Sequence, residues 1–240
     1  MEKENLLTYF TKDANWIPSF FIGSILIYII SILNSLEIKG ILSIVPAMVG
    51  KSIIGLIVIG FFMMNTNSLL NCLNEQVKLA GFNNILKLFI IGLKYCLAVF
   101  IYWFGLAAVF VVLSIIFDFS VLRAAFMIII GLFAIYLACM LSCIYSNFLT
   151  FRSMFKFSNF SKFRGFKYKA DGSVLIMFLL LSLTIVFATV IKDHTPYIYF
   201  ILLFLAPMFM WYLLVLSKIQ AGFIQDSIAK ENEETMQNNN

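Results

Sequence analysis

FRSMFKFSNFSKFRGFKYK, Phe151 to Lys169, carries six of the seventeen Lys and Arg residues, seven aromatics and no acid. Apolar runs flank it on both sides, each long enough to cross a bilayer. A segment this basic stays on the cytoplasmic side, so it sets the direction of every neighbouring span. Basic and aromatic side chains interleaved beside a membrane also suit anionic lipid headgroups. The expected contacts are Arg152, Lys156, Lys162, Arg164, Lys167 and Lys169.

Composition carries the same reading across the chain. Hydrophobic residues make up 62% of the 240 and charged residues 12%. A soluble domain needs about 25% charged residues to face water. The apolar runs are continuous and lack the alternation of a barrel strand. The fold class is therefore all-α: a polytopic transmembrane helical bundle of about six spans, with amphipathic cytoplasmic surface helices. The net charge of +5 sits in loops beside spans, which the positive-inside rule explains without nucleic acid. Cys72, Cys96, Cys139 and Cys143 fall in or near apolar segments and make no disulfide framework. The charged first fifteen residues, with an apolar run starting only at Trp16, fit a retained first span better than a cleaved signal.

In chain order, residues 1–15 form a cytoplasmic segment with a plausible short surface helix. A six-span domain covers 16–217, with the basic-aromatic loop at 149–172, and a polar cytoplasmic tail, disordered at its end, covers 218–240. Spans are expected at Trp16–Asn34, Tyr95–Phe117, Ala124–Phe148, Val174–Ile191 and Tyr197–Leu216. The remaining one has two readings. Ile41–Met64 is one span with Lys51 near its middle, or an outer interfacial helix at Leu36–Val49 precedes a span at Ser52–Leu70. Pro46 and the Gly50-Lys51-Ser52 step favour the break, with Lys51 snorkelling outward. Leu69, Leu70, Leu73 and Val77 recur at helical spacing within Asn65–Asn84, which reads as an amphipathic surface helix ended by Gly81.

This layout puts thirteen Lys and Arg residues inside and three outside, or four when Lys51 counts as outer. Both termini are then cytoplasmic. Trp16, Tyr95, Tyr145, Trp211 and Tyr212 fall near the inner interface as aromatic anchors.

Chemistry-bearing residues are few. His194 stands in an outer turn beside Asp193, with no ligand set around it. Cys139 and Cys143 share a helix face but have no His or further Cys partner, and packing accounts for them. No catalytic triad, phosphate-cradling glycine loop or carboxylate pair is present, so no catalytic, cofactor-binding or metal-ligating residue is assigned. Lys51 is the one ionisable residue that a span could bury, and thus the candidate transport-site residue.

Asp13-Ala14-Asn15-Trp16 before IPSFFIG, Gly60-Phe61 closing the second span, and Leu88–Tyr95 leading to Ile101-Tyr102 together resemble a prokaryotic membrane-protein family known as domain of unknown function 4013. The resemblance covers most of residues 10–225. The connector departs from the family pattern: it reads KLAGFNN where a Leu-Pro-Glu-Trp-like stretch is expected. The resemblance implies an integral membrane protein of bacterial or archaeal type and brings no catalytic residues.

Three functions follow as expectations. The first is a non-enzymatic plasma-membrane scaffold whose partners are anionic inner-leaflet lipids and another membrane protein or a second copy. The second is a small transporter, or a transporter subunit, with its site between helices near Lys51. The third, an enzyme acting on lipids, lacks a catalytic constellation.

Overall fold

An apolar chain in lipid must satisfy its backbone internally, which a helix does within one segment. The computed structural model describes residues 9–13, 16–38, 43–71, 79–116, 120–163 and 197–238, and they are helical almost throughout. The helices are α1 (Trp16–Ile38), α2 (Ile44–Asn71), α3 (Ile85–Ile116), α4 (Ser120–Phe148), α5 (Phe157–Lys162) and α6 (Tyr197–Asn238). Two 3-10 turns, Tyr9–Lys12 and Phe151–Phe155, complete them. All but α5 are long and apolar enough to cross a membrane. The chain is a multi-pass helical membrane bundle. The expected span at Val174–Ile191 lies outside the described residues.

α2 is the central element, packed against α1, α3, α4 and α6. Successive residues on a helix point about 100° apart, so neighbours on α2 serve different cores. Ile57, Phe61 and Leu69 face one core with Tyr9, Phe82 and Leu214. Phe62 and Met63 face the other with Leu141, Ile144, Met154 and Phe163. Where α2 crosses α3 the backbones touch. A Cβ on Gly60 would collide with the Leu88 carbonyl, and one on Gly92 with the Leu56 carbonyl. Small residues permit this approach, and in lipid such close packing drives helix association.

Burial is concentrated where the basic segment leaves α4. The opposite portions of the spans present Ile44 and Val45, Phe100 and Phe104, Ile128 and Leu132, and Phe204, all exposed. In a bilayer these side chains meet acyl chains.

Several expectations are corrected. The second span is unbroken: Gly50, Lys51 and Ser52 lie within α2, and of the expected interfacial helix at 36–49, Leu36–Ile38 belong to α1 and Ile44–Val49 to α2, while residues 39–42 lie outside the described residues. Pro46 is the third residue of α2, in the first turn, where a missing N–H costs no intrahelical bond. Asn65–Asn71 continue α2 with Asn65, Thr66 and Leu69 buried, rather than lying on the surface; residues 72–78 of that expected helix lie outside the described residues. In the N-terminal segment Tyr9–Lys12 form a 3-10 turn with Tyr9 and Phe10 buried, and residues 1–8 of the expected surface helix lie outside the described residues. α3 starts ten residues before the expected Tyr95. The tail, expected to be polar and disordered at its end, continues α6 as far as Asn238, and residues 239–240 lie outside the described residues. Tyr145, expected as an interfacial anchor, is wholly buried in the core.

Candidate functional site

Leu149 ends α4 in the left-handed region, at φ 49°, with its N–H donating to the Tyr145 carbonyl at 2.7 Å. That conformation costs a non-glycine residue roughly 1–2 kcal/mol, and it turns the chain off the helix axis. The basic segment then folds back onto the bundle. The Ser153 hydroxyl donates to the Thr150 carbonyl at 2.6 Å, and the Asn159 amide to the Ser153 carbonyl at 2.7 Å. From α3, the Tyr102 hydroxyl donates to the Met154 carbonyl at 2.8 Å, and its ring stacks on Phe155 at 5.5 Å. Ser153, Met154, Asn159 and Phe163 are buried against α3, α4 and α6.

What remains outward is a short amphipathic edge. Arg152, Phe155, Lys156 and Phe157 are exposed, Phe157 to 88%. Lys162 pairs with Glu231 of α6 at 2.9 Å, which ties the segment to the final helix. Of the six expected headgroup contacts, Arg152 and Lys156 share the exposed edge and Lys162 faces α6. Arg164, Lys167 and Lys169 lie outside the described residues.

A second feature lies inside the bundle. A groove of about 320 Å³ opens between α2, α3, α4 and α6, walled by Phe62, Met63, Tyr95, Cys139, Leu213 and Gln220 among others. No charged residue lines it. Its polar side chains are turned into the wall. The Gln220 amide donates to the Ser142 hydroxyl at 2.8 Å, and the Tyr95 hydroxyl to the Ala138 carbonyl at 3.0 Å. The Ser146 hydroxyl lies 3.1 Å from the Met63 sulfur. Tyr145 follows Ala138 and Ser142 on one face of α4, with its ring 6.1 Å from that of Tyr95. Its hydroxyl is buried and has no hydrogen-bond partner among the described residues. An unsatisfied buried hydroxyl costs about 1–3 kcal/mol.

Lys51 does not belong to this groove. It is half-buried on α2, seven residues before the first lining residue, Val58.

The third polar cluster holds the N-terminal turn. The Tyr9 hydroxyl donates to the Leu214 carbonyl at 2.6 Å, and the Lys218 ammonium stands 5.5 Å from the Tyr9 ring centre. Asp13 accepts the Leu79 N–H, and Asn65 accepts that of Ala80 at 3.1 Å. Burial pushes the Tyr9 hydroxyl well above its ordinary value, with the Asn65 side chain partly offsetting the rise.

Sequence reasoning passed over Tyr9, Asp13, Asn65, Ser142 and Gln220. Gln220 fell in the supposed tail. The available clue was spacing: Met210, Leu214, Ser217, Ala221 and Ile224 continue one helical stripe past Leu216, and all are buried.

Among protein-family models, curated proteins and solved structures, the comparisons find none that matches this chain.

Proposed function

We propose that this chain is a non-enzymatic scaffold of the plasma membrane, with both termini cytoplasmic. Its basic-aromatic segment holds anionic headgroups of the inner leaflet, and its partner is a membrane protein or a second copy. One observation carries the reading. Buried Met154, Asn159 and Phe163 clamp the segment to the bundle and leave Arg152, Phe155, Lys156 and Phe157 outward. Aromatic rings beside cations suit the headgroup layer, where each cation gains about 1 kcal/mol near an anionic surface. The thirteen-to-four distribution of Lys and Arg supports the orientation. The transporter reading finds less support, because the groove lacks charge and Lys51 stands outside it.

The test places a solvatochromic dye at position 157, through Phe157→Cys in a background with the native cysteines replaced. In nanodiscs of neutral phosphatidylcholine the dye reports a wetter environment than in discs containing phosphatidylglycerol. Arg152→Gln with Lys156→Gln removes the difference, as does high salt. Identical emission in both lipids, insensitive to salt, would sink the headgroup role.

A further inference from the structure

Lys87 and Lys94 stand two turns apart on one face of α3, and both are exposed, as are Ile90 and Leu97 on the same stripe. We infer that this face docks a membrane helix of another protein, one that carries carboxylates at the same seven-residue spacing. Sequence alone assigns both lysines to the cytoplasmic loop ahead of a span at Tyr95. In the structure they belong to α3, within a run, Ile85–Leu113, that is long and apolar enough to cross a membrane. Their level follows from the crossing with α2, where a Cβ on Gly60 would meet the Leu88 carbonyl and one on Gly92 the Leu56 carbonyl. Lys87 adjoins Leu88, and Lys94 follows Gly92 by two residues. Leu56 and Gly60 straddle the middle of α2, whose 28 residues span about 42 Å. A hydrocarbon core about 30 Å thick leaves that helix roughly 6 Å of play either way. The lysines are about 10 Å apart along α3, so every seating leaves at least one of them deep in hydrocarbon.

Charged side chains inside spans almost always turn inward or find a partner. These two turn outward, on the side of α3 away from α2 and α4, and neither forms an ion pair among the described residues. Anionic headgroups lie out of reach of the deeper lysine, which favours a protein carboxylate over a lipid phosphate. A second copy cannot supply it. Of the chain's twelve acids, those on the described helices are Glu37 in the last turn of α1, and Asp226, Glu231, Glu233 and Glu234 in the last third of α6. The apolar run at 174–191 has none. The acid therefore comes from a different chain. Ile90 and Leu97 give its helix an apolar seat, and the paired charges select the partner and its register. The inner side keeps eleven of its thirteen Lys and Arg without this pair, against four outside, so the orientation stands. The partner named here rests on the scaffold reading above, though the surface is separate from Arg152 and Lys156.

The experiment uses the full chain in phosphatidylcholine nanodiscs with two Leu-rich transmembrane peptides of roughly 22 residues. One peptide carries two glutamates seven residues apart near its middle, the other two glutamines. Association is read by fluorescence transfer from the peptide to a dye at Asn83→Cys, in a background with the native cysteines replaced. The glutamate peptide is expected to bind roughly tenfold more tightly than the glutamine peptide. Lys87→Gln with Lys94→Gln removes that difference. Lys87→Glu with Lys94→Glu moves the preference to a peptide with two lysines at the same spacing, which a misfolded variant could not do. Equal binding of the glutamate and glutamine peptides by the parent chain overturns the docking face, as does a preference that survives Lys87→Gln with Lys94→Gln. Depth is read separately, from nitroxides at Lys87→Cys and Lys94→Cys. At least one is expected to meet oxygen while shielded from an aqueous nickel complex. Nickel access at both equal to that at Lys156→Cys would place the lysines among headgroups, assign them to lipid phosphate and overturn the partner helix. Phosphatidylcholine is zwitterionic, so a negative result leaves the headgroup role of Arg152 and Lys156 untouched.

Discussion

At Gly60 and Gly92 the absence of a side chain is itself the contact. A methyl group at either position would overlap a carbonyl of the facing helix, and backbone cannot swing aside as a side chain can. Gly60→Ala and Gly92→Ala are expected to destabilise the bundle by about 1–3 kcal/mol, the usual cost of overpacking. Among the described residues, nothing lies within 4 Å of where a Cβ on Gly55 or Gly105 would stand. Gly55→Ala and Gly105→Ala should therefore be neutral, or gain up to about 1 kcal/mol from helix propensity. Thermal unfolding in one detergent compares all four; equal losses at the tight and open pairs would remove the crossing contact. Tyr9 gives a prediction of a different kind. Its hydroxyl is raised above an ordinary value near 10, so the neutral form is the one the fold favours. The stability this contributes is fully present below about pH 10 and is lost as pH rises from there towards the folded value. Tyr9→Phe should cost about 1 kcal/mol at neutral pH by removing the bond to Leu214, and should make the alkaline loss of stability above pH 10 shallower. An alkaline limb identical in both proteins would show that Tyr9 ionisation takes no part in it.

The elements differ in how far they were legible before the structure. Helices α1, α3 and α4 follow from apolar density, because a long run without charge has no other fold in lipid. Trp16 and Phe148 stand where expected, at the start of α1 and the end of α4, but the start of α3 lies ten residues earlier than read, because density carries no phase. α6 passes Leu216 since its buried stripe continues through Ser217, Gln220 and Ile224, of which two are polar and drop out of any hydropathy window. Pro46 and Gly50 read as breakers, yet a first-turn proline leaves α2 intact. The basic segment was legible as a surface but not as a clamp, because its burial depends on Tyr102 and Phe223, far away in sequence. That clamp separates two kinds of contact. Lys162 and Glu231 are partly exposed, and such a pair contributes about 0–1 kcal/mol. Phe163 is fully buried, and Phe163→Ala should cost about 3–5 kcal/mol locally. In limited trypsinolysis, Phe163→Ala should speed cleavage after Arg152 and Lys156 several-fold, while Glu231→Ala leaves it near the parent rate. The reverse order would mean that the ion pair, not the aromatic ring, holds the segment down.

For the molecule as a whole the open quantity is depth, and α2 constrains it. Its 28 residues span about 42 Å, which matches a bilayer counted with both headgroup layers rather than the roughly 30 Å hydrocarbon core. Lys51 stands seven residues, about 10 Å, from the Ile44 end. From Lys51 to Asn71 is twenty residues, about 30 Å, the thickness of the core itself. Seating the helix this way puts Lys51 at one headgroup boundary and Asn71 at the other, and its charge never enters hydrocarbon. Shifting the helix to bury Lys51 at the bilayer centre would cost about 2.5–3.5 kcal/mol for the lysine alone. With the positive-inside direction, the expected pattern for single cysteines in a background without the native ones is fixed. Lys51→Cys reacts with an impermeant thiol reagent added outside intact cells. Lys156→Cys and Glu233→Cys react only in inverted vesicles. Lys156 and Glu233 stand on the segment and the helix that the Lys162–Glu231 pair joins, so they must report the same side. If Lys51→Cys instead resisted the impermeant reagent and reacted with a small permeant one, position 51 would lie within the bilayer in reach of water. A transport path would then replace the scaffold as the better account of the chain.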